Sequence, residues 1–492
     1  MTNNKRGSNP RNAAENAAAP ESAKNAAERL TLKTKLGFGV CDLGGNLFFT
    51  VGAFIVMKYL TDTVGLNPWL AGLALSIGRV LDAISDPIVG SLSDRTRSRF
   101  GRRRPYMFVG AITTFAAMSI FFVNPHLGSQ AALFVWAAAG YTVLAAVGFT
   151  MINIPYSALT PEIARDYDQR TSLNSYRFTF AILGTLLGAG LALPLVSSIS
   201  GARVVNNRWV GDPSGGYAVM GLVFGAMVAL TTFITVFTVK ETARAIERPK
   251  NGILNMAKGY VSAFRNRAFL LILIPWTLNI TGITVLSTVL QYYFTNVRNE
   301  SDPFTVTAAL LILLVVAMAF IPIWTLISKR IGKKWSYAIG MLELAAAILA
   351  IFIVGPSVPL AALYALIGLC GVGFSTGYAL PWSIIPDAVD SDYAVSGENR
   401  EGVFYGIWTF CSKLGQAFSA LIIGGLLSMT HYNGSIAVQG MDTQLVIRLL
   451  FGPIGAAFYV AAAIVLSFYP ITHAKHVEIR KRIEAMEAAR AR

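Results

Sequence analysis

The sequence predicts an all-α membrane protein with twelve transmembrane helices arranged as two six-helix bundles. The chain has 492 residues, of which 54% are hydrophobic and only 14% are charged. A soluble domain could not bury so much apolar surface, and a helix needs about 20 apolar residues to cross a bilayer. Twelve stretches of the sequence are long and apolar enough: 36–61, 68–93, 105–124, 131–158, 172–199, 216–239, 268–296, 304–328, 334–354, 358–386, 402–430 and 443–470.

Basic residues are concentrated in alternate loops of this arrangement. The net charge is +15, and six arginines fall between the second and third stretches alone, from Arg95 to Arg104. Cytoplasmic loops of membrane proteins carry such an excess of Lys and Arg. We therefore expect a multi-pass protein of the plasma (inner) membrane with both termini and the central loop in the cytoplasm. The positive charge is attributed to topology, and no nucleic-acid partner is expected.

The two halves of the sequence resemble each other. Arg99-Phe100-Gly101 is matched by Arg330-Ile331-Gly332, and Pro155-Tyr156-Ser157 is matched by Pro381-Trp382-Ser383. Matches in the same order, in equivalent loops, predict two pseudo-symmetric six-helix bundles of the major facilitator type, with a site between them near the midplane. The predicted parts are a disordered cytoplasmic tail (1–33), an N-terminal bundle (34–240), a cytoplasmic linker (241–267), a C-terminal bundle (268–471) and a cytoplasmic tail helix (472–492).

The second stretch carries two acidic residues at membrane depth. An ionisable side chain there costs about 2.5–3.5 kcal/mol, so it persists where it meets a partner or an ion. Arg79, Asp82 and Asp86 share one helical stripe. Pro87 leaves a backbone carbonyl without its usual donor, and the Ser85 hydroxyl is close by. Such hard oxygen ligands suit a small cation or a proton, so Asp82 and Asp86 are the metal ligands if the ion is Na⁺.

Polar residues on other stretches are candidates for the substrate site. They recur at helical spacing and together offer carboxylate, amide, guanidinium, ammonium and aromatic groups. Sugars bind to that mixture, because hydroxyls take bidentate hydrogen bonds and the ring face packs on aromatic side chains. The candidates are Asp42, Asn46, Asn153, Arg177, Tyr378, Trp382, Thr409 and Lys413.

The basic loop after the second stretch is a candidate gate. Its arginines can pair with carboxylates on the same face and hold one conformation closed. The candidate gating residues are Asp94, Arg95, Arg99, Arg102 and Arg103, with Asp387 and Asp392 as partners in the second half. The alternative is that these charges only set the topology.

The sequence contains no sign of enzymatic chemistry. Cys41, Cys370 and Cys411 all fall within predicted spans, and none has the spacing of a zinc site or disulfide pair. No His or Cys cluster, nucleotide motif or glycine-rich phosphate loop is present, so we expect neither an enzyme nor a cofactor. The predicted partners are a small-molecule substrate, a coupling cation and the lipid bilayer, and the protein is expected to be a monomer.

Several motifs resemble those of the glycoside–pentoside–hexuronide:cation symporters, a melibiose-permease-like family of the major facilitator superfamily. They are Asp82-Ala-Ile-Ser-Asp86-Pro87, Ser98-Arg99-Phe100-Gly101-Arg102-Arg103-Arg104-Pro105, Asn153-Ile154-Pro155-Tyr156 and Gly402-Val403-Phe404-Tyr405-Gly406 with Lys413. The resemblance implies a Na⁺, Li⁺ or H⁺ site on Asp82 and Asp86, with Thr150 and Ser85 contributing. It also implies sugar contacts at Asn46, Asn153 and Arg177.

The function expected from these features is import of a sugar or glycoside by symport with Na⁺ or H⁺, through alternating access. A lysophospholipid or other amphiphile carrier of the same fold is the alternative. A membrane-embedded enzyme would need a nucleophile–base or metal constellation. A sensor without transport would bind a substrate with no cation-dependent accumulation. The residues leave both the sugar and the choice between Na⁺ and H⁺ open.

Overall fold

The computed structural model describes residues 30–164, 167–200, 203–205, 208–239, 241, 263–398, 400–436 and 438–490. These residues are mostly helical. The predicted N-terminal tail up to residue 29 and most of the predicted linker lie outside the described residues. The helices are α1 (Leu32–Phe54), α2 (Pro68–Arg95), α3 (Arg104–Phe121), α4 (Gln130–Ile163), α5 (Tyr167–Ser200), α6 (Ser214–Thr238), α7 (Arg267–Asn296), α8 (Pro303–Ile331), α9 (Lys333–Val354), α10 (Leu360–Ser396), α11 (Glu401–Met429), α12 (Met441–Ser467) and α13 (His473–Arg490).

Each of the twelve predicted stretches coincides with one of α1 to α12. Ten of these helices are long and apolar enough to cross a membrane, and α2 and α3 are not among those ten. The predicted tail helix corresponds to α13. One element was not expected from the sequence: an antiparallel ribbon of β1 (Arg203–Val205) and β2 (Arg208–Val210), which lies between α5 and α6.

Local sequence signals account for where several helices begin. Asn67 accepts a hydrogen bond from the backbone N–H of Trp69 and precedes Pro68, the first residue of α2. Asp302 caps α8 in the same way before Pro303. A side-chain oxygen satisfies a free backbone N–H at the first turn, and proline has no N–H to satisfy there. These caps fix the ends of the helices that carry the site.

Helix α4 is interrupted by a π-helical segment. A π-helical stretch over Val143–Phe149 separates two α-helical parts, Gln130–Thr142 and Thr150–Ile163. A π-helical turn is rare and is often found at a functional site, because it changes the direction in which the following side chains point. Here the stretch ends immediately before Thr150, which reaches the acidic residues of α2.

Small residues bring α2 of the first half against α11 of the second half. A Cβ atom on Gly72 would collide with the carbonyl oxygen of Ala420, and one on Gly424 would collide with that of Pro68. Ser76 donates a hydrogen bond to the carbonyl oxygen of Ala417 at 2.6 Å. Small residues allow two membrane helices to approach this closely. The contact aligns α11 with the stripe of α2 that carries the acidic residues.

Candidate cation and substrate site

Asp82 and Asp86 lie one turn apart on α2 and face α4. Thr150 donates a hydrogen bond to Oδ1 of Asp82 at 2.7 Å, and its Oγ1 lies 3.4 Å from Oδ1 of Asp86. The hydroxyl of Ser85 lies 3.3 Å from that of Thr150. The four residues predicted for the cation site are therefore brought together in one place. Their oxygen atoms form a donor set of the kind that suits a small hard cation.

Lys413 of α11 lies between the two carboxylates. Its Nζ is 2.9 Å from Oδ1 of Asp82 and 2.6 Å from Oδ2 of Asp86. The same nitrogen is 3.3 Å from the backbone oxygen of Asp82. From the sequence we predicted that Lys413 would contact the substrate, whereas its described contacts are with the acidic pair. The ammonium group therefore contacts both carboxylates that were predicted to bind the cation.

Arg79 completes this cluster of charges one turn earlier on α2. Its Nη1 lies 3.9 Å from Oδ2 of Asp82, and its guanidinium group lies 5.5 Å from the centre of the Tyr141 ring. Asp82, Asp86, Lys413 and Arg79 thus carry two negative and two positive formal charges. A buried cluster is tolerated when its charges are paired in this way, since an unpaired buried charge is costly.

A second ion pair lies toward the basic-loop end of the first half. Arg177 donates to Oδ2 of Asp42 at 2.7 Å, and Tyr156 donates to the same oxygen at 2.6 Å. Arg177 also donates to Thr160 at 3.2 Å. Two predicted substrate residues, Asp42 and Arg177, are therefore partners of each other. Tyr156 was not predicted as a site residue, although the sequence places it one turn after Asn153.

A cavity of about 240 Å³ lies between the two halves of the chain. It is lined by residues of α1, α2, α4, α5, α7, α8, α10 and α11, including Asn46, Arg79 and Tyr378. Most of the wall is apolar, and the polar lining residues are Asn46, Thr50, Arg79, Tyr141, Thr185, Thr284, Ser287, Thr288, Tyr378 and Gln416. Asn46 and Tyr378 are the two predicted substrate residues that reach it. Asp42, Asn153, Arg177, Trp382, Thr409 and Lys413 are not among the lining residues.

Trp382 belongs to a group of aromatic side chains instead. The rings of Trp276 and Trp408 are stacked with centroids 4.9 Å apart, and Trp382 lies 6.0 Å from the first and 6.1 Å from the second. The group joins α7, α10 and α11. Thr409, next to Trp408, is exposed, and its hydroxyl bonds to backbone oxygens of its own helix at 3.1 Å.

The predicted gating charges pair within each half. Arg102 and Arg103 both contact Glu162 of α4, and Arg103 also lies 3.0 Å from Asp94. In the second half, Lys333 lies 2.9 Å from Asp387 and Arg400 lies 2.7 Å from Asp392. Arg95 and Arg99 are exposed. Among the described residues, the predicted pairing of the first-half arginines with Asp387 and Asp392 is not made.

Glu241 holds the basic loop in place. Its carboxylate accepts hydrogen bonds from the backbone N–H groups of Arg102, Arg103 and Arg104, at 2.6, 2.9 and 2.8 Å. An acidic side chain is favourable at the N-terminus of a helix, where backbone N–H groups have no partner within the helix. Glu241 therefore ties the start of α3 to the chain three residues after the end of α6. Glu241 falls in the predicted linker (241–267), and no role was predicted for it.

At the opposite end, the two halves contact each other directly. The hydroxyls of Thr61 and Tyr292 lie 2.7 Å apart, and Tyr432 donates to Asp62 at 2.8 Å. Lys58 pairs with Asp62 and lies over the ring of Tyr292. We call these five residues the latch. It closes the end of the molecule where α2 begins, away from the basic loop.

Comparison with known proteins identifies the family of this chain. The family model described as MFS/sugar transport protein matches residues 37–473. The chain belongs to this family. The predicted relationship to the glycoside–pentoside–hexuronide:cation symporters is therefore confirmed, as is the prediction that the protein is a transporter and not an enzyme.

Individual relatives of this transporter are symporters by name. The inner membrane symporter YicJ of Escherichia coli is 30% identical, with 90% of this chain and 92% of the relative covered. The putative glycoside/cation symporter YagG of the same organism is 28% identical over 94% and 96%. The sodium-dependent lysophosphatidylcholine symporter 1 of Gallus gallus is 25% identical over 93% and 90%. A solved D-xylose–proton symporter shares the fold, with a TM-score of 0.63 at 17% identity over 88% of this chain and 97% of that one.

Proposed function

We propose that the transporter imports a sugar or glycoside by symport with Na⁺ or H⁺. The observation that carries this proposal is the position of Lys413, which reaches from α11 in the second half to both carboxylates of α2 in the first half. The cluster adjoins the central cavity through Arg79. A cation bound there acts at the boundary that must move when the halves rock, so ion binding and substrate access are linked.

The role of each group follows from its contacts. Before a cation binds, Lys413 and Arg79 together offset the two negative charges of Asp82 and Asp86. An entering Na⁺ or H⁺ takes over that task with Asp82, Asp86, Thr150 and Ser85 as its partners, and Lys413 is released. Since Lys413 is one of the ties between α2 and α11, its release changes the contact between the two halves. Each ligand then raises the affinity for the other by the same factor.

The proposed topology has twelve spans, formed by the ten strongly apolar helices together with α2 and α3, and both termini in the cytoplasm of the inner membrane. The latch then lies on the outer side and the basic loop on the inner side. Contacts between the halves at the latch, with gating charges paired inside each half, fit a state that is open toward the cytoplasm. In the opposite state, we propose that Arg102 and Arg103 exchange Glu162 for Asp387 or Asp392.

A lysophospholipid or similar amphiphile is the second candidate substrate. The specific observation in its favour is the largely apolar wall of the cavity, together with the named activity of the Gallus gallus relative. Uptake of radiolabelled sugars and of radiolabelled lysophospholipids by the same cells separates the two candidates.

The central proposal is tested by uptake into proteoliposomes under an imposed Na⁺ or H⁺ gradient. We expect Asp82→Asn and Asp86→Asn each to abolish gradient-driven accumulation while some substrate binding or exchange remains. Asp442→Asn is the control, because this carboxylate lies exposed in the first turn of α12. Accumulation at the wild-type level by the double Asp82→Asn/Asp86→Asn variant would refute the cation site.

A further inference from the structure

Helix α13 is docked against the last turns of α10. Ile483 of α13 is 5% exposed, and Ile479, one turn earlier, packs against the hydrophobic core. Further along the helix, Glu487 lies 3.5 Å from the hydroxyl of Tyr393 on α10. The rest of α13 is mostly exposed and rich in charged residues. The helix is therefore held by one narrow face, and the proposed symport mechanism gives it no role.

His476 lies one turn before Ile479 on this face and is directed at two carboxylates of α10. Its Nε2 is 3.5 Å from Oδ1 of Asp387 and 3.4 Å from Oδ2 of Asp390. Arg480, one turn later, lies 3.7 Å from the same oxygen of Asp390. The side chain of His476 is 27% exposed, so the ring is in contact with water. A neutral ring donates from Nε2 to one carboxylate at a time, whereas a charged ring attracts both.

Other charged and titratable groups surround this contact. Lys333 of α9 lies 2.9 Å from Asp387 and provides a positive charge. The carboxylates ordinarily titrate well below neutral pH, and lysine, arginine and tyrosine ordinarily titrate well above it. Further neighbours of these types are Lys334 of α9, Tyr393 of α10, Tyr405 of α11, Tyr469 of the segment before α13, and Glu487 of α13. Within the described part of this cluster, His476 is therefore the group whose type titrates near neutral pH.

The sign of the pH effect follows from these contacts. A histidine side chain gains its positive charge as the pH falls through the range of about 5–8. A charge on His476 adds an attraction to Asp387 and Asp390, so acid pH stabilises the docked position of α13. The attraction is lost as the pH rises through the same range, and α13 is then held mainly by its apolar face.

We propose that His476 is a pH-dependent clamp, which in its protonated form holds α13 on α10 and keeps Asp387 within the second half. The inference rests on the proposed symport function, in which Asp387 is a candidate partner of Arg102 and Arg103 in the opposite state. A clamped Asp387 already has Lys333 and His476 as partners, so it is less available to the first half. Acidification of the cytoplasm therefore slows the return to the state that is open at the latch, and import is limited.

The first measurement follows the docking of α13 itself. Spin labels are attached to Val395→Cys on α10 and Ala488→Cys on α13, both exposed positions, in a background that lacks Cys41, Cys370 and Cys411. The distances between the labels are recorded for the full-length protein in liposomes, at about pH 5.5 and about pH 8. We expect the undocked population, with the longer distance, to be about twofold to tenfold larger at the higher pH.

Substitutions assign this response to one ring. His476→Asn removes the titrating group and keeps a similar helix propensity, so we expect the same distances at both pH values. His476→Arg keeps a permanent charge and should leave α13 docked at both. The matched control is His431→Asn, in the exposed segment between α11 and α12, and it should respond as the wild-type protein does.

Two results overturn the clamp. They are wild-type distances that do not lengthen as the pH rises, and a lengthening that His476→Asn retains. If His476→Asn does not fold, a response that persists in His476→Arg overturns the clamp instead.

A second pair of labels reports whether the clamp acts on the gate. Arg97→Cys on the basic loop and Val395→Cys on α10 lie in different halves and approach each other when the basic-loop end closes. We expect this closed population to be about twofold to tenfold smaller at about pH 5.5 than at about pH 8. The part of this difference that depends on the clamp disappears in His476→Asn. If His476→Asn leaves the difference unchanged, α13 does not restrain Asp387 and the regulatory role is wrong.

The clamp and the symport proposal fail in different ways, because the label distances are measured without substrate. If no Na⁺ or H⁺ gradient drives accumulation in proteoliposomes, symport is wrong, and the docking response of α13 still stands. If a gradient drives accumulation but the distances do not respond through His476, symport stands and the clamp is wrong.

Discussion

The ammonium nitrogen of Lys413 lies 2.6 Å from a carboxylate oxygen of Asp86, and the contact joins α11 to α2 across the two halves of the chain. Lys413 therefore contacts both carboxylates of the proposed cation site. On the proposed symport mechanism, entry of an ion is an exchange, in which one positive group replaces another, and the displaced group belongs to the opposite half.

The first prediction concerns the energy of this contact. Lys413→Gln leaves two buried carboxylates facing one guanidinium group, so we expect it to lower the free energy of unfolding in detergent by about 3–5 kcal/mol. The double variant Lys413→Gln/Asp86→Asn removes the uncompensated charge and should recover most of the loss. Chemical denaturation of the wild-type protein, both single variants and the double variant gives the coupling energy. Additive losses in the double variant would mean that the two groups do not interact.

The second prediction concerns the close approach of α2 and α11. Gly424→Ala introduces a Cβ against the backbone oxygen of Pro68 and should destabilise the protein by about 1–3 kcal/mol, because backbone atoms cannot move aside cheaply. The control is Gly425→Ala, whose Cβ would meet the Trp69 ring at an ordinary 3.6 Å. Gly424→Ala should lower both the temperature of thermal unfolding and the rate of uptake, whereas Gly425→Ala should leave both unchanged. An equal effect of the two would contradict the packing argument.

The third prediction concerns the latch. Tyr292→Phe removes the hydroxyl that lies 2.7 Å from Thr61, and a hydrogen bond of this kind contributes about 0.5–1.5 kcal/mol. We expect the population opened at the latch to rise by up to about tenfold. This population is measured with the variant Ser287→Cys in a background that lacks Cys41, Cys370 and Cys411. An impermeant thiol reagent is added on the latch side, and the rate of labelling is followed.

Tyr293→Phe is the control for the latch, since the Tyr293 hydroxyl donates to Ile351 within the second half. If Tyr292→Phe labels no faster than Tyr293→Phe, the Thr61 contact does not hold the latch end closed.

The fourth prediction concerns Glu241. Glu241→Ala leaves three backbone N–H groups at the start of α3 without their acceptor, and Glu241→Gln keeps an acceptor but removes the charge. We expect the alanine variant to lose about 1–3 kcal/mol of stability and the glutamine variant to lose less. Hydrogen exchange at Arg102, Arg103 and Arg104 reports the same change locally. Unchanged exchange in the alanine variant would show that the carboxylate does not hold the loop.

Much of the fold could be predicted from the sequence, because each apolar stretch is a local signal. The acidic pair with Ser85 and Thr150 was also predictable: Asp82 and Asp86 share a stripe, and Thr150 is carried over from the family's motif. The π-helical stretch of α4 was not predicted, since no local pattern marks it. The ribbon between α5 and α6 was missed for the same reason.

The differences between the predicted site residues and the contacts in the structure have a common physical cause. Helical spacing tells which residues of one helix share a face, but not which other helix that face meets. Lys413 was therefore assigned to the substrate, and Asp42 and Arg177 were predicted as separate ligands although they pair with each other. Arg79 was placed on the stripe of Asp82 and Asp86 from the sequence, but no role in the site was predicted for it. Gln416 lines the cavity and was not predicted as a site residue. Its position one turn after Lys413, on the same face of α11, could have identified it.

The stacked tryptophans provide a built-in optical probe. Trp276, Trp382 and Trp408 come from α7, α10 and α11, respectively, and their ring centres lie 4.9 to 6.1 Å apart. Indoles at this spacing exchange excitation, so their near-ultraviolet circular dichroism depends steeply on mutual distance and angle. A rearrangement among these three helices would thus alter the spectrum of the unlabelled protein, and ligand addition could be followed in real time without a single engineered cysteine.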